Sequence, residues 1–343
     1  MKRKLLPCAA LVLAAGSLPP IGWTATDAAP PLAAEEARQW LERMIQATQT
    51  LNYEGTFIYI QGTHVEAMRI IHGSGPDGER QRLFSLSGPP REVVVANNHV
   101  VCLSPKQQAI FPGSDYQNSR FPLSIPRKLG RLESYYAFEM IGEDRIAGLE
   151  ARVIAINPRD TWRFGYRLWL DEQNGMVLRS ALLNEQGQPV EQLMFTDLQV
   201  KPHIDESAFQ SPALPPDTAL APMSPDHPNS PPRTGEPVEG SAWRFEALPE
   251  GFIKVLHNRF TEASNQYPTE HLVFADGLAT ISVFLEKLAD APPILQGESR
   301  FGSMNAFGAV VAGYQVLVVG EVPMATVRLI ATSAQHTPEE TKP

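Results

Sequence analysis

Eight histidines and two pairs of adjacent carboxylates carry the side-chain types that metal binding or acid–base catalysis would require. The pairs Glu143-Asp144 and Asp171-Glu172 fall at predicted turns, where a solvated surface carboxylate is a better interpretation than a general acid or base. His64 and His72 share a strand face but lie roughly 26 Å apart at about 3.3 Å per residue, too far to share an ion. The spacing of the eight histidines predicts no metal site, and we expect no cofactor. They are His64, His72, His99, His203, His227, His257, His271 and His336.

Sequence motifs of common catalytic folds are also missing. The chain contains no Gly-x-Ser-x-Gly, no His-Glu-x-x-His and no Cys-x-x-Cys. The stretch from Gly73 to Gly78 matches Gly-x-Gly-x-x-Gly, but it contains Pro76 and leads into a strand-like run rather than a helix. A turn between two strands explains these glycines. We therefore predict a protein that binds rather than a hydrolase or another enzyme.

Aromatic and aliphatic side chains on two predicted strands could line a cleft for an apolar ligand. Side chains alternate between the two faces of a strand, which places two of them on one face of the first strand and four on one face of the second. Ile58, Ile60 and Trp169 put apolar groups on the opposite faces. From the residues alone, a sheet packed on both faces and a lipid-binding cleft fit equally well. The cleft candidates are Phe57, Tyr59, Phe164, Tyr166, Leu168 and Leu170.

Cations among prolines and apolar residues mark a second candidate site, in a long loop predicted over 111–136. Arginine suits phosphate recognition because its planar guanidinium presents several donors. The composition also fits a solvated loop, and both interpretations remain open. The candidates for binding a lipid headgroup are Arg120, Arg127, Lys128 and Arg131.

One helix and many short antiparallel strands must position these side chains. Apolar residues at helical spacing predict a helix over 33–51. Residues 161–197 predict a meander of three strands, with turns at Asn174-Gly175 and at 184–189. In this pattern Arg163 belongs to the charged face of the first strand. Further strands are predicted over 55–61, 65–72, 79–86, 91–96, 99–103 and 152–156.

Nine prolines between 211 and 238 predict a semi-extended linker that separates two domains. The second domain, 239–333, contains a hairpin turned by Asp276-Gly277, a strand pair at 306–311 and 315–319, and a closing helix at 324–331. The last residues, 334–343, are predicted to fray.

The first residues and the overall charge bear on where the protein acts. Three cations, Lys2 to Lys4, precede an apolar run and small residues around 25–29, so we expect 1–28 to be a cleaved secretory signal peptide. The net charge of −9 argues against nucleic acid as a partner. Cys102 would be the one cysteine left after cleavage, and we expect it to be buried on a strand rather than redox-active.

Several stretches, in order along the chain, closely resemble the RseB/MucB family. Members of this family are periplasmic negative regulators of an envelope-stress sigma factor of the sigma-E or AlgU type. The stretches are 53–60 (YEGTFIYI), 141–149 (IGEDRIAGL), 157–160 (NPRD) with the meander, and 271–278 (HLVFADGL). The resemblance implies a mainly β protein with helices (α+β). Its large domain, 32–210, would be an open half-barrel similar to the LolA and LolB carriers, and its C-terminal domain would be a smaller α+β unit.

The resemblance also implies partners. The protein is expected to bind the periplasmic domain of an inner-membrane anti-sigma factor (RseA/MucA type) and to shield it from regulated proteolysis until lipid or lipopolysaccharide releases it. A homodimer remains open because strand edges are exposed. The alternative is a periplasmic lipid or lipoprotein carrier without a signalling partner, which the second domain disfavours. Partner-binding candidates, most of them expected in the core, are Trp243, Phe245, Phe252, Phe274 and Phe284.

Overall fold

The computed structural model describes residues 31–75, 78–96, 99–104, 107–112, 129–212, 236–237, 240–260, 267–288 and 292–337. Within these residues the chain forms two mainly β domains with two α-helices, which confirms the predicted fold class. The predicted signal peptide and most of the predicted linker lie outside the described residues.

The large domain is one antiparallel sheet of eleven strands. The strands are β1 Asn52–Gln61, β2 His64–Gly75, β3 Gly78–Ser85, β4 Glu92–Ala96, β5 His99–Ser104, β6 Gln107–Pro112, β7 Tyr136–Ile146, β8 Leu149–Pro158, β9 Gly165–Asp171, β10 Val177–Leu183 and β11 Pro189–Lys201. Their order is β6-β5-β4-β3-β2-β1-β11-β10-β9-β8-β7, so two meanders meet where β1 pairs with β11. In the described part of the chain β6 and β7 do not pair, and the sheet stays an open half-barrel.

Helix α1, Pro31–Thr50, packs on one face of this sheet. Its apolar residues Ala37, Leu41, Met44 and Ile45 recur at helical spacing and are buried against side chains of β7 to β10. The predicted helix is confirmed. A short 3₁₀ turn, Leu132–Ser134, lies just before β7, within the stretch predicted to be a long loop.

The small domain is built on a second sheet with its own helix. Its elements are β12 Glu236–Pro237, β13 Trp243–Phe245, β14 Ile253–Phe260, β15 Thr269–Ala275, β16 Thr280–Lys287, β17 Gly297–Phe301, β18 Met304–Val311, β19 Tyr314–Gly320, α2 Met324–Thr332 and β20 Ala334–His336. The main sheet has the order β12-β14-β15-β16-β19-β18-β17, and β13 pairs with β20. Val327, Ile330 and Ala331 of α2 join the core of this domain.

Several strands are not predicted by the sequence pattern. β6 lies partly in the stretch predicted to be a loop, and β7, β14 and β17 lack a clean alternation of apolar and polar residues. Two residues of the predicted linker, Glu236–Pro237, pair with β14. The tail predicted to fray is ordered at its start, because Ala334–His336 pairs with Trp243–Phe245 and buries Ala334. A three-residue strand is too short to show a period.

Candidate ligand cavity and the contacts between the domains

A cavity of about 400 Å³ lies on the same sheet face as α1, next to the part of the sheet that the helix covers. The strand register creates it, because residues opposite each other on neighbouring strands point to one side. Two rows of cross-strand neighbours supply most of its wall. One row is Glu66, Tyr59, Leu193 and Ser180, and the next is Glu191, Leu182 and Tyr166.

The remaining wall is largely apolar, with Met68, Leu83 and Val93 contributed by β2, β3 and β4. Cavities of about 300–1,000 Å³ with apolar walls and a few polar groups are typical of small-molecule sites. The size and lining of this cavity suit an acyl chain.

Two of the three carboxylates that line the cavity are neutralised by arginines. The Arg91 guanidinium donates to both oxygens of Glu66 at 2.6 Å. Arg82 Nε donates to Glu92 Oε1 at 2.5 Å, and the Ser211 hydroxyl donates to the other oxygen at 2.7 Å. Glu191 forms no ion pair with any residue of the described ranges. Burial, and then the charge of Glu191 with which it hydrogen-bonds, raise the pKa of Tyr59, so its hydroxyl remains a donor.

Glu191 also belongs to a contact between the two domains, which we call the carboxyl contact: Gln61 and Glu191 of the large domain with Ser303 and Glu321 of the small one. Gln61 Nε2 donates to Ser303 Oγ at 2.9 Å. Ser303 Oγ lies 3.0 Å from Glu191 Oε2 and 2.6 Å from Glu321 Oε1. Ser303 is 2% exposed, so the contact is shielded from solvent.

The carboxyl contact holds more acceptors than donors. A serine hydroxyl has one proton and cannot donate to two carboxylates at once. Burial first, and then the nearby charge of Glu191, raise the pKa of Glu321 to about 7. A proton on the pair resolves the conflict, because a neutral carboxyl can donate while Ser303 donates to its partner. That proton belongs to the pair rather than to one residue.

This pair predicts a pH dependence of stability. A carboxyl whose pKa rises from an ordinary 4.5 to about 7 on folding holds a proton between those pH values that the unfolded chain has lost. The free energy of unfolding should therefore fall from pH 5 to pH 7.5, by about 2 kcal/mol. In Glu321→Gln this decrease should disappear, leaving the variant equal to wild type at pH 5 and more stable at pH 7.5. Urea unfolding at both pH values measures it, and parallel profiles for the two proteins would contradict it.

A second contact between the domains, the arginine contact, centres on Arg163 and Asp276, whose side chains are both 0% exposed. Arg163 Nη1 donates to Asp276 Oδ2 at 2.8 Å, and Nη2 donates to the Glu250 carbonyl at 2.6 Å. Asp160, in the same loop as Arg163, accepts from Nε at 3.1 Å. The Tyr136 hydroxyl donates to Asp276 Oδ2 at 2.9 Å. Every charge in this contact therefore has a hydrogen-bonded partner.

Aromatic rings and an apolar side chain complete the arginine contact. The guanidinium of Arg163 lies 4.9 Å from the ring centre of Tyr135 and 5.0 Å from that of Phe252, one in each domain. Asp276 Oδ1 accepts the backbone N–H groups of Leu278 and Ala279, both at 2.8 Å, which shapes the hairpin turn between β15 and β16. Leu278, at that turn, is buried in the core beneath α1. The small domain thus inserts a side chain into the large one.

The predicted cleft residues divide between the cavity and the packed core. Tyr59 and Tyr166 line the cavity. The structure places Phe57 in the core around Tyr53, and Leu168 and Leu170 beneath α1, all three 0% exposed. Phe164 is 5% exposed and precedes β9. Two of the six are therefore brought together at the cavity. α1 covers part of this face, and the cavity lies in another part.

None of the headgroup and partner candidates that fall within the described residues lines the cavity. Arg120, Arg127 and Lys128 fall outside the described residues, whereas Arg131 is exposed and donates to the Gly251 carbonyl at 3.3 Å. In the small domain Trp243, Phe252 and Phe274 are buried, and Phe245 and Phe284 are partly buried. Apolar side chains that are exposed there include Phe301 and Ile294, at 80% and 79%.

Sequence reasoning does not reveal either contact. The alternation of the meander predicts Arg163 on a charged strand face, but β9 begins only at Gly165 and Arg163 is 2% exposed. For Asp276 the pattern predicts a turn residue alone. Ser303 and Glu321 carry no motif, and no pattern along the chain indicates that they meet Glu191.

Neither a metal site nor a membrane-spanning helix is found where the structure describes the chain. No three His, Cys, Asp or Glu side chains converge there as metal ligands. Across the same described ranges, no helix combines the length and the apolar character needed to cross a bilayer.

Comparison with known protein families supports what the fold suggests. Residues 36–213 match the family model of the MucB/RseB N-terminal domain, and residues 237–335 match that of the MucB/RseB C-terminal domain. The chain belongs to the MucB/RseB family. Both of its domains are therefore family domains, and the cavity lies within the first of them.

Named relatives match along most of this MucB/RseB chain. The Sigma factor AlgU regulatory protein MucB of Pseudomonas aeruginosa is 33% identical, covering 89% of this chain and 93% of the relative. The Sigma-E factor regulatory protein RseB of Escherichia coli K12 is 30% identical, covering 85% and 88%. A crystal structure of MucB in complex with MucA(peri) superposes with a TM-score of 0.69 at 30% identity, covering 88% of this chain and 99% of that one.

Proposed function

We propose that this protein is a periplasmic negative regulator, not an enzyme, that binds the periplasmic domain of an inner-membrane anti-sigma factor and shields it from regulated proteolysis. One observation carries the proposal: the likeness to MucB in its complex with MucA(peri) extends over both domains. The names of the relatives as sigma factor regulatory proteins support it. The leader-like first residues support export to the periplasm.

The proposed signal for release is a lipid or lipopolysaccharide whose acyl chain enters the cavity. The apolar wall and the volume of about 400 Å³ support this part of the proposal. Tyr59 and Tyr166 remain proposed lipid-binding residues, and the headgroup role of the 120–131 cations also remains a prediction. A ligand can displace the partner only if it binds the free regulator more tightly than the complexed one, since equal affinity shifts no equilibrium.

The test is a reconstitution with purified components. The regulator should retain the periplasmic domain of the anti-sigma factor from the same organism in a pulldown, and should slow its cleavage by the site-1 protease. Purified lipopolysaccharide should reverse both effects. Failure to capture the anti-sigma domain would overturn the proposal. Transfer of a lipoprotein to an acceptor without capture would favour the alternative, a lipid or lipoprotein carrier.

A variant that fills the cavity separates binding of the anti-sigma domain from its release by lipid. Ser180 is 7% exposed and lines the cavity, so Ser180→Phe should place a ring inside it. We expect Ser180→Phe to hold the anti-sigma domain like wild type and to resist release, with an at least about tenfold higher lipopolysaccharide concentration needed. Ser299→Phe, at an exposed position of β17, is the matched control and should behave as wild type. Equal release from both variants would contradict the cavity as the lipid site.

A further inference from the structure

The carboxyl contact lies at the wall of the cavity. Glu191 belongs to both the cavity and the carboxyl contact. Its side chain lines the cavity, and its Oε2 lies 3.0 Å from the Ser303 hydroxyl of the small domain. Its cross-strand neighbours show why: Leu182 on one side lines the cavity, and Gln61 on the other side reaches Ser303. A change in the charge of Glu191 therefore affects both the cavity and the carboxyl contact.

We propose that binding of an acyl chain in the cavity is coupled to uptake of a proton by the Glu191–Glu321 pair, so that ligand and proton together favour the contact between the domains. This inference rests on the lipid site of the proposed function and adds its regulation. An acyl chain removes water from the wall beside Glu191. Loss of water disfavours a charged carboxylate and favours its neutral form.

The groups around Glu191 and Glu321 include no free cation in the described ranges, so a proton is the positive charge available to balance these carboxylates. Tyr59 faces Glu191 from β1, the carboxylate of Glu66 lies near Tyr59 on β2, and Tyr166 faces both carboxyls from β9. Arg91, the cation of the cavity wall, is engaged with Glu66. From the small domain the pair meets Ser303. Within the described ranges, neither Glu191 nor Glu321 has an arginine or lysine partner.

The singly protonated form of the pair also suits the domain contact. With one proton shared, a carboxyl can donate to Ser303 Oγ while Ser303 donates to the other carboxylate, so every donor finds an acceptor. With no proton, two carboxylates face one hydroxyl in a shielded site and repel each other. Ligand binding and domain contact are linked through this proton, and linkage is reciprocal.

The experiment measures binding of palmitoyl lysophosphatidylcholine, below its micelle concentration, to the mature chain by calorimetry. This probe has a single acyl chain and does not titrate between pH 6 and 8. Titrations at pH 7.5 in two buffers of different ionisation enthalpy give the number of protons taken up. We expect about 0.3–0.8 proton per ligand, and an affinity about 5- to 10-fold weaker at pH 8 than at pH 6.

Two variants in different domains should lose the same property. Glu191→Gln and Glu321→Gln keep the shape of the pair but leave a single titrating group, so each should bind with little proton uptake and a flat pH profile. Glu185→Gln, an exposed carboxylate in the turn before β11, is the matched control and should keep the wild-type profile. Thermal melts of all three confirm that they fold.

The outcomes are distinct. Proton uptake that is lost in both pair variants and kept in Glu185→Gln supports the coupling. Wild-type binding without proton uptake, or uptake that persists in both pair variants, overturns the coupling and leaves the lipid site intact. No binding of the probe at any pH overturns the lipid site and the coupling with it, while capture of the anti-sigma domain is judged separately by the pulldown.

Discussion

Replacing Arg163 with methionine should cost about 3–5 kcal/mol of unfolding free energy, because it leaves the charge of Asp276 buried without its counter-ion. Asp276 would keep its three hydrogen bonds from Tyr136, Leu278 and Ala279, but these neutral donors do not balance a charge that is 0% exposed. The Glu250 carbonyl would lose its donor as well. Urea unfolding of the mature chain measures the loss.

Arg152→Met is the matched control for this prediction. Arg152 pairs with Glu143 and Glu172, whose side chains are 69% and 45% exposed. Exposed pairs contribute about 0–1 kcal/mol, so the control should be nearly neutral. The double variant Arg163→Met with Asp276→Asn should lose less than the sum of the two single changes, since it removes both buried charges together. A loss below about 1 kcal/mol in Arg163→Met would contradict the assignment.

The sequence predicts those elements whose pattern is local. α1, the meander and the Asp276-Gly277 hairpin are predictable because helical spacing, strand alternation and turn residues act over a few residues. β6 and β17 escape prediction since they are short strands at sheet edges, where no alternation is needed; most of β17 is exposed.

The cavity could be predicted only in part. Strand alternation places Tyr59, Tyr166 and Leu168 on the ligand face, but it does not give the extent of the helix that covers this face. The residues that line the cavity are those beyond the contact between α1 and the sheet. The extent of this contact depends on packing between segments that are far apart in the chain. Leu168 lies beneath α1, whereas Tyr166, two residues earlier on the same strand, lies at the cavity.

The contacts between the domains are beyond sequence reasoning for a related reason. Arg163 and Asp276 are 113 residues apart, and Gln61 and Ser303 are 242 apart. Each residue alone has an ordinary interpretation at a turn or a strand end. Burial reveals them: an arginine and an aspartate that are both 0% exposed must satisfy each other, and the structure shows that they do so across the two domains.

A glycine at the arginine contact provides the second large effect, and Gly251→Ala should destabilise the protein by about 2–4 kcal/mol. Gly251 has a φ of +90°, and a Cβ there would lie 2.6 Å from two ring carbons of Tyr135. Tyr135 cannot retreat easily, because its ring stacks on the Arg163 guanidinium. Strain at the backbone and overlap with the ring therefore add, and the small domain is pushed away from the large one.

Gly62→Ala separates these two causes. Gly62 has a φ of +58°, but a Cβ there meets nothing within 4 Å, so this variant should cost only the backbone strain, about 1–2 kcal/mol. Small-angle scattering should show a larger radius of gyration for Gly251→Ala and no change for Gly62→Ala. Adding Tyr135→Ala to Gly251→Ala should recover part of the loss, since the ring that the new methyl group would strike is gone. If Gly251→Ala and Gly62→Ala prove equal in stability and in size, the close approach of Gly251 to Tyr135 does not hold the domains together.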